Sequence, residues 1–388
     1  MSNAIIDTIN GNINVATSVV RQTLDGLAGT AMPDFVIYLG GEDISTYFKQ
    51  RLISLSLIDN RSFNADSLNI KLSDTDNTLF FPETSKLIAV YLGWKGSILE
   101  YKGSYKIDWI NYSGVPDNME IQACSADLHG NLNTKKDYSW HDTTIEDIVH
   151  TIAEKSGLFY NVAPGLKNIS VSHIDQSQES DVAFLTRLAI RNGAEFSIKN
   201  RTMLFLKVGT GTTTSGKAIS PITILRSDCK NYSFKSANRF NYTGVTAQWL
   251  DTRTPLQQSK QVILLQKKNL HQNTSTPPKA ANNEYLIGKK DNILALKTLY
   301  ASQEQAERAA KDAWEKCQRE TYTCKLTLAK GRADLYPETP VMLKVFGQEI
   351  MNQQDWIITK ATHNLDSTGF TTTLELEIKV ADAIGIVE

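Results

Sequence analysis

"LNIKLSDTDNTLFFPETSKLIAVYLG" (residues 68–93) indicates how the chain is built, because a second stretch, "CKLTLAKGRADLYPETPVMLKVFG" (324–347), has the same pattern. Each stretch opens with alternating apolar and polar residues, the period of a half-buried β-strand. Each then has an aromatic-Pro-Glu-Thr element, at 81–84 and 336–339, and a strand that runs into a glycine. Aromatic-led strands follow both copies, "YKIDWINYS" and "WIITKATHN". The sequence therefore predicts two copies of one β unit in a single chain.

The pattern elsewhere divides the chain into further segments. Short alternating strands with Asp, Asn, Gly and Ser turns predict an antiparallel β domain over 32–133. Capped helices between strands predict a small inserted α+β domain over 134–206. β character returns at 207–250 and 324–380, which are interpreted as the second β domain. The expected fold is therefore mainly β with α+β insertions.

Three segments fall outside these domains. Residues 1–31 repeat apolar residues at helical spacing and predict an amphipathic arm, which docks either on another subunit or on its own chain. Residues 251–323 are interpreted as a long polar loop followed by an Ala-rich helix at 302–319, a helix-bearing linker region. Residues 381–388 are interpreted as a C-terminal tail.

Two of the predicted helices carry start signals. In "DTTIEDIVHTIAEKSG", Thr143 is the expected N-cap, with Glu146 three residues on and Gly157 at the end. In the helix at 302–319, Ser302 and Gln305 make the same kind of box. Its apolar face consists mostly of small residues, which predicts that the helix packs closely against a sheet.

The polar stretch "HIDQSQESDVAFLTRLAIRNG" (173–193) could be an active site or the start of a helix. Ser177 or Ser180 can cap a helix that Gly193 ends. A catalytic site needs a base oriented by a third group, and His173 and Asp175 have no further partner in sequence. We interpret this stretch as a strand end followed by a helix.

Composition argues against several functions. The chain has 388 residues and a net charge of −1, so no overall field attracts nucleic acid or an anionic membrane. Its four cysteines contain no C-x-x-C pair, and no stretch resembles a signal peptide or a membrane span. The histidines, at 129, 141, 150, 173, 271 and 363, lack metal-ligand spacing. "GTGTTTSGK" (209–217) lacks the spacing of a phosphate-binding loop. We therefore predict no catalytic, cofactor-binding or metal-binding residues and no specific nucleic-acid binding.

The 173–207 region, "HIDQSQESDVAFLTRLAIRNGAEFSIKNRTMLFLK", closely resembles the signature of the late control protein D family. These are tail proteins of contractile-tailed phages and phage-tail-like bacteriocins, and VgrG spike proteins share a weaker form of the pattern. "SWHDTTIEDIVHTIA", "GRADLYPETPV" and "DWIITKATHNLDSTGFTTTLELEIKV" are similar to the same family. The resemblance covers roughly residues 32–380.

The resemblance implies a baseplate hub of a contractile injection system, built as a homotrimer with two tail-tube-like antiparallel β-barrel domains per chain. Its expected partners are other copies of itself, the central spike protein, the tail tube protein, the tape measure protein and baseplate wedge proteins. The expected location is the tail baseplate of a virion or bacteriocin particle, after synthesis in the bacterial host cytoplasm. The trimer would adapt a six-fold tail tube to a three-fold spike.

Two other functions stay open at this stage. The chain could be a cell-wall hydrolase at the tail tip, although no motif nominates a pair of catalytic carboxylates. It could also be a transcription regulator, although it shows no basic helix-turn-helix pattern. For the hub, alternation in "TTTLELEIKV" places Glu375 and Glu377 on one face, which we expect to line a central channel.

Overall fold

A computed structural model describes residues 32–61, 66–84, 86–125, 131–199, 201–213, 216–237, 242, 244–250, 260–265, 292–300, 302–379 and 384–387. The predicted arm at 1–31 and much of the predicted polar loop lie outside the described residues. The elements of the first unit are β1 (Pro33–Leu39), β2 (Glu42–Asp43), α1 (Ser45–Lys49), β3 (Leu52–Asn60), β4 (Ser67–Ser73), β5 (Leu87–Trp94), β6 (Glu100–Ser113) and β7 (Asn118–Ser125). We call β1–β7 unit 1.

Alternation along the strands builds the core of unit 1. In β4, "SLNIKLS", the side chains of Leu68, Ile70 and Leu72 are fully buried, while the polar residues between them are partly exposed. The longer strands β1, β3, β5, β6 and β7 also bury alternate residues over much of their length and contribute to one apolar cluster, whereas both residues of β2 are exposed. The antiparallel β fold predicted from period-two alternation is therefore confirmed.

The next segment has its own core. Its elements are β8 (Lys135–Thr144), α2 (Ile145–Lys155), β9 (Phe159–Val162), α3 (Pro164–Lys167), β10 (Ser170–Ser180), α4 (Asp181–Arg191), β11 (Ala194–Lys199) and β12 (Thr202–Lys207). Helices α2 and α4 pack with a β10–β8 ribbon and a β11–β12–β9 sheet around a separate apolar cluster. The helices predicted between Thr143 and Gly157 and between Ser180 and Gly193 are thus confirmed. We propose that 134–206 is a compact inserted domain.

The cap of α2 differs by one residue from the prediction. Thr144, not Thr143, is the N-cap, and its hydroxyl accepts a hydrogen bond from the Asp147 amide. Asp147, not Glu146, completes the capping box by accepting from the Thr144 amide. The sequence contains two threonines and two acids that could form the capping box. Thr143 pairs within the β8–β10 ribbon, so the strand continues up to Thr144 and the helix begins after it.

The remaining elements are β13 (Ile222–Leu225), β14 (Cys229–Ser236), β15 (Gly244–Trp249), β16 (Lys260–Leu265), β17 (Ile293–Tyr300), α5 (Gln303–Thr321), β18 (Tyr322–Leu328), β19 (Pro340–Lys344), α6 (Glu349–Gln353), β20 (Asp355–Asp366), β21 (Gly369–Ile378) and β22 (Ile384–Val387). Strands β13, β14 and β18–β21 surround one apolar cluster. We call these six strands unit 2.

A four-stranded sheet, β17–β15–β16–β22, corrects three of the sequence interpretations. Residues 244–249 are a strand as expected, but they belong to this sheet and not to the second β domain. Residues 260–265 and 293–300 are strands and not polar loop, and 384–387 of the expected tail form a strand on β16. Helix α5 packs on this sheet through Ala306, Ala310 and Trp314, so the close helix–sheet contact predicted from its small residues is confirmed.

The internal repeat is visible as a common strand order. Unit 1 runs β3–β4–β7–β6–β5 across its sheet, and unit 2 runs β14–β18–β21–β20–β19. The registers also agree: Met119 on β7 lies opposite Leu72 and Tyr112, and its counterpart Thr372 on β21 lies opposite Leu328 and His363.

Two irregularities recur at equivalent places in the two units. One lies at Leu52/Ser54 and at Cys229/Asn231, and the other at Ile107/Trp109 and at Ile358/Lys360. Such bulges are specific to a position, so their recurrence supports a true repeat. The sixth strands differ, because β1 is antiparallel to β5 whereas β13 is parallel to β19.

Candidate assembly interface

The two units join edge to edge within one continuous sheet. Strand β20 of unit 2 pairs antiparallel with β3 of unit 1, from Lys360 opposite Asn60 to Asp366 opposite Ser54. The Ser56 hydroxyl donates to Asn364 Oδ1 across this boundary at 2.8 Å. The pairing shows that an edge of one unit fits an edge of the other.

Further contacts between the two units lie beside this boundary. Lys102 of β6 donates to the carbonyls of Ala333 and Leu335 and lies 3.7 Å from the centre of the Tyr336 ring. Trp94 of β5 donates through Nε1 to the Gly331 carbonyl at 2.8 Å. The Tyr-Pro-Glu-Thr element of unit 2 therefore packs on unit 1.

Buried charges hold the units and the inserted segment together. We define the junction cluster as four carboxylates and four cations, namely Asp59, Asp66, Glu338, Glu377, Arg61, Lys102, Lys199 and Arg319. Arg61 at the end of β3 forms ion pairs with Glu338 and Glu377 of unit 2. Lys199, from the β11–β12 hairpin, reaches Asp59 at 2.6 Å. Unit 1, unit 2, the inserted segment and helix α5 thus share one balanced set of charges.

Burial shifts the pKa of several groups in this cluster. It raises the pKa of Asp66 to about 6, and the nearby Asp59 carboxylate adds to the rise. Burial lowers the pKa of Lys102 to about 8. The pKa of Arg61 is raised by Glu338 and Glu377 even though burial opposes this. A charge cluster of this kind fixes relative orientation, since each charge needs its partner in place.

Each unit has a second strand edge that corresponds to one of the two edges paired in the β20–β3 boundary. Residues Trp109–Ser113 of β6 correspond to Lys360–Asn364 of β20, and β14 corresponds to β3. Within the described ranges, the first pairs only with β7 and the second only with β18. Exposed aromatic side chains mark both edges: Trp109 and Tyr112 are each 39% exposed, and Tyr232 is 37% exposed.

The stretch 173–193 has the structure predicted from its caps. Residues up to Ser180 belong to β10, and Ser180 accepts from the Ala183 amide as the N-cap of α4. Arg187 pairs with Glu179 at 2.8 Å and donates to the Asp175 carbonyl. Its polar groups thus make local structural contacts.

Register brings together one set of polar residues that the sequence did not indicate. His173 lies directly opposite His141 on the β10–β8 ribbon, with 3.1 Å between their Nδ1 atoms. Asp175 lies 3.2 Å from His173 Nε2 and accepts from Ser139, and this hydrogen bond lowers the pKa of Asp175. The two histidines are 32 positions apart, so only knowledge of the register could have paired them. In the described part of the chain, no group of three or more His, Cys, Asp or Glu side chains could hold a metal ion.

The expected channel face of β21 needs a correction. Glu375 is exposed and pairs with Lys325, but the Glu377 side chain is only 14% exposed and belongs to the junction cluster. Alternation placed both on one face of the strand, but the Arg61 guanidinium covers the end of that face. Glu377 therefore joins the units.

Comparison with known structures shows which proteins share this fold. The fold is similar to that of the 43 kDa tail protein of prophage MuSo2 from Shewanella oneidensis, with a TM-score of 0.62 at 13% identity over 88% of this chain and 97% of that one. The tail protein from Neisseria meningitidis MC58 gives a TM-score of 0.61 at 13% identity, over 89% of this chain and 96% of that one. A Francisella PdpA-VgrG complex gives 0.55 at 9% identity, over 98% and 59%. The fold is that of phage tail and VgrG proteins.

Sequence comparison gives the family. Residues 119–369 match the phage tail baseplate hub (GPD) family. The chain is 46% identical to a probable baseplate hub protein of Escherichia phage 186, over 94% of this chain and 97% of that protein. It is 45% identical to the probable baseplate hub protein of Escherichia phage P2, over 91% and 95%. The chain belongs to the phage tail baseplate hub family, and the resemblance seen in the sequence is confirmed.

None of the helices in the described ranges has the length and apolar character needed to cross a membrane.

Proposed function

We propose that the chain is a homotrimeric hub that adapts a six-fold tail tube to a three-fold central spike. The observation that carries the proposal is the edge-to-edge union of two equivalent β units in one sheet. Three chains then present six similar units around an axis, while the trimer itself keeps three-fold symmetry. One face can therefore match a hexameric ring and the other a trimeric object.

The proposal includes the partners expected of such a hub. The tail tube protein would contact the six-unit face, and the spike protein would contact the three-fold face. The tape measure protein would meet the channel, and the baseplate wedge proteins would meet the outer surface. Structural similarity to a PdpA-VgrG complex supports a place near a spike. The particle is either a phage tail or a bacteriocin of the same build.

The proposal also assigns the chain a structural and not an enzymatic role. Its relatives are named as probable baseplate hub proteins. The charges of the junction cluster pair with one another and so join parts of the chain to each other. Zymography of the purified chain on bacterial cell walls should give no clearing, whereas clearing would favour the tail-tip hydrolase.

The copy number and symmetry of the chain in assembled tails test the hub. Electron microscopy of tail particles should show three chains around the tail axis, with units 1 and 2 at near-equivalent positions about 60° apart. A chain present as one copy or as six copies would overturn the proposal.

A further inference from the structure

The contact between units within a chain defines the contact expected between chains. In the β20–β3 boundary, both edges of each strand are paired. The counterparts of these two strands, the Trp109–Ser113 segment and β14, each have one paired edge among the described residues. An open strand edge presents a row of backbone donors and acceptors that another strand can complete.

We propose that Trp109–Ser113 of one chain pairs antiparallel with Ser233–Ala237 of a second copy of this chain. The inference rests on the proposed trimer and names the strands that close it. The equivalence of the units gives the register. Lys360 lies opposite Asn60, and their counterparts are Trp109 and Ala237.

The other end of the boundary gives the same register. Asn364 lies opposite Ser56, and their counterparts are Ser113 and Ser233. The recurrent bulges before Lys360 and Trp109 anchor the correspondence, because a slip of one residue would reverse the faces of every side chain.

The side chains suit the proposed pairing. His363 and Leu57 lie opposite each other in the existing boundary, and both are fully buried. Their counterparts Tyr112 and Phe234 would form a cross-strand aromatic pair, a favourable combination in antiparallel sheets. Tyr112 is now 39% exposed. Its aromatic surface would be covered when the chains pair.

On the opposite face, polar residues would meet as they do within the chain. Ser56 and Asn364 share a hydrogen bond at 2.8 Å, and their counterparts Ser233 and Ser113 are also short polar residues. Asn111 would lie opposite Lys235, the counterparts of Thr362 and Ile58. No like charges face each other in this register.

Cysteine cross-linking in assembled tails tests the register. The double variant Ser113→Cys with Ser233→Cys is incorporated into tails and treated with a methanethiosulfonate cross-linker that joins only directly opposed side chains. We expect covalent dimers and trimers of the chain on a denaturing gel. Each single variant controls for the native cysteines, of which three are buried and Cys124 is half-buried.

A second pair controls for the register. Ser113→Cys with Ala237→Cys places the thiols on the same face but four residues apart along the strand, about 13 Å. This pair should give little cross-linked product. Tails that contain three copies but link only through Ala237→Cys would overturn the register and leave the hub intact. Tails that contain three copies but link through neither pair would overturn the pairing and assign the edges to another occupant, such as the 1–31 segment or the tube protein. Tails without three copies would overturn both proposals.

Discussion

At the scale of single residues, Arg61 shows how one charge can organise the chain. It directly follows β3 of unit 1, yet its carboxylate partners Glu338 and Glu377 lie just before β19 and on β21. Burial raises the pKa of Glu338, and the Arg61 guanidinium opposes that rise. Glu338 also accepts from the Gly209 amide, just after the inserted segment. Sequence analysis could not find this role, because a strand pattern does not say which distant carboxylates pair with an arginine.

Arg61→Met is therefore expected to destabilise the folded chain. Arg319 still pairs with Glu377, but Glu338 loses its guanidinium, and breaking a buried pair costs about 3–5 kcal/mol. The free energy of unfolding by urea measures the effect. Lys325→Ala is the control, because it removes an exposed ion pair with Glu375 in the same sheet and should cost less than about 1 kcal/mol. Equal losses in the two variants would contradict this account of the junction cluster.

Asp312 on α5 is a largely buried carboxyl group that lies against a glycine. Its carboxyl group lies against Gly193, which has a φ of +60° and ends α4. An added Cβ at position 193 would lie 1.8 Å from that carboxyl, so glycine is needed for space as well as for conformation. Burial raises the pKa of Asp312 to about 6, with a further rise from Glu315. The charged form is thus unfavourable in the folded protein.

Asp312→Asn should consequently stabilise the protein at pH 7 by about 1–3 kcal/mol. In the natural chain, the folded pKa of about 6 exceeds the unfolded value of 3.8, so the favourable contribution of this group is full below pH 3.8 and is lost as pH rises through 6. The advantage of the variant should therefore shrink between pH 7 and pH 4. Urea unfolding at several pH values measures it, with exposed Asp355→Asn as the control. An advantage that does not change with pH would rule out the charge as its cause.

At the scale of elements, alternation and caps predicted most strands and helices, but not their partners. The strand at 244–249 is correctly predicted, yet it pairs with 260–265, and with 293–300 in parallel, and not with unit 2. A period of two reports which residues face a core, and says nothing about which core. Local signals were more reliable, since a cap depends on residues three apart. Even so, the N-cap of α2 is Thr144 and not the predicted Thr143, because Thr143 pairs within strand β8.

The cap of α4 offers a clean test of such local signals. Ser180→Ala removes the acceptor for the Ala183 amide and should cost about 1 kcal/mol. Ser180→Asp keeps an acceptor at the same place and should preserve most of the stability. Thermal unfolding followed by circular dichroism compares the two variants. Similar losses in both would mean that the hydroxyl acts through something other than the cap.

At the level of the whole molecule, the internal repeat connects the fold to the proposed assembly. Sequence alone revealed two copies, because their order of strands, turn and glycine matched. It could not reveal that they share one sheet, since the β20–β3 pairing joins residues about 300 positions apart. The pairing leaves one further edge on each unit, as the proposed contact between copies of the chain requires. Closure would protect the edges that an isolated chain leaves open.

A charge exchange across the proposed contact tests closure of the ring. Asn111→Lys places a lysine opposite Lys235 of the next chain, and like charges directly opposite in a sheet are unfavourable by about 0.2–1 kcal/mol per contact. Each proposed ring contains three such contacts, so the unfavourable free energy is about three times that of one contact. Fewer hub chains should therefore enter sedimented tails, and the amount of hub chain is measured relative to the tube protein. The isolated chain should keep its stability, because residue 111 is exposed and lies opposite Glu120 within its own chain. Adding Lys235→Glu restores opposite charges and should restore incorporation. If the double variant assembles no better than Asn111→Lys alone, residues 111 and 235 are not neighbours in the ring.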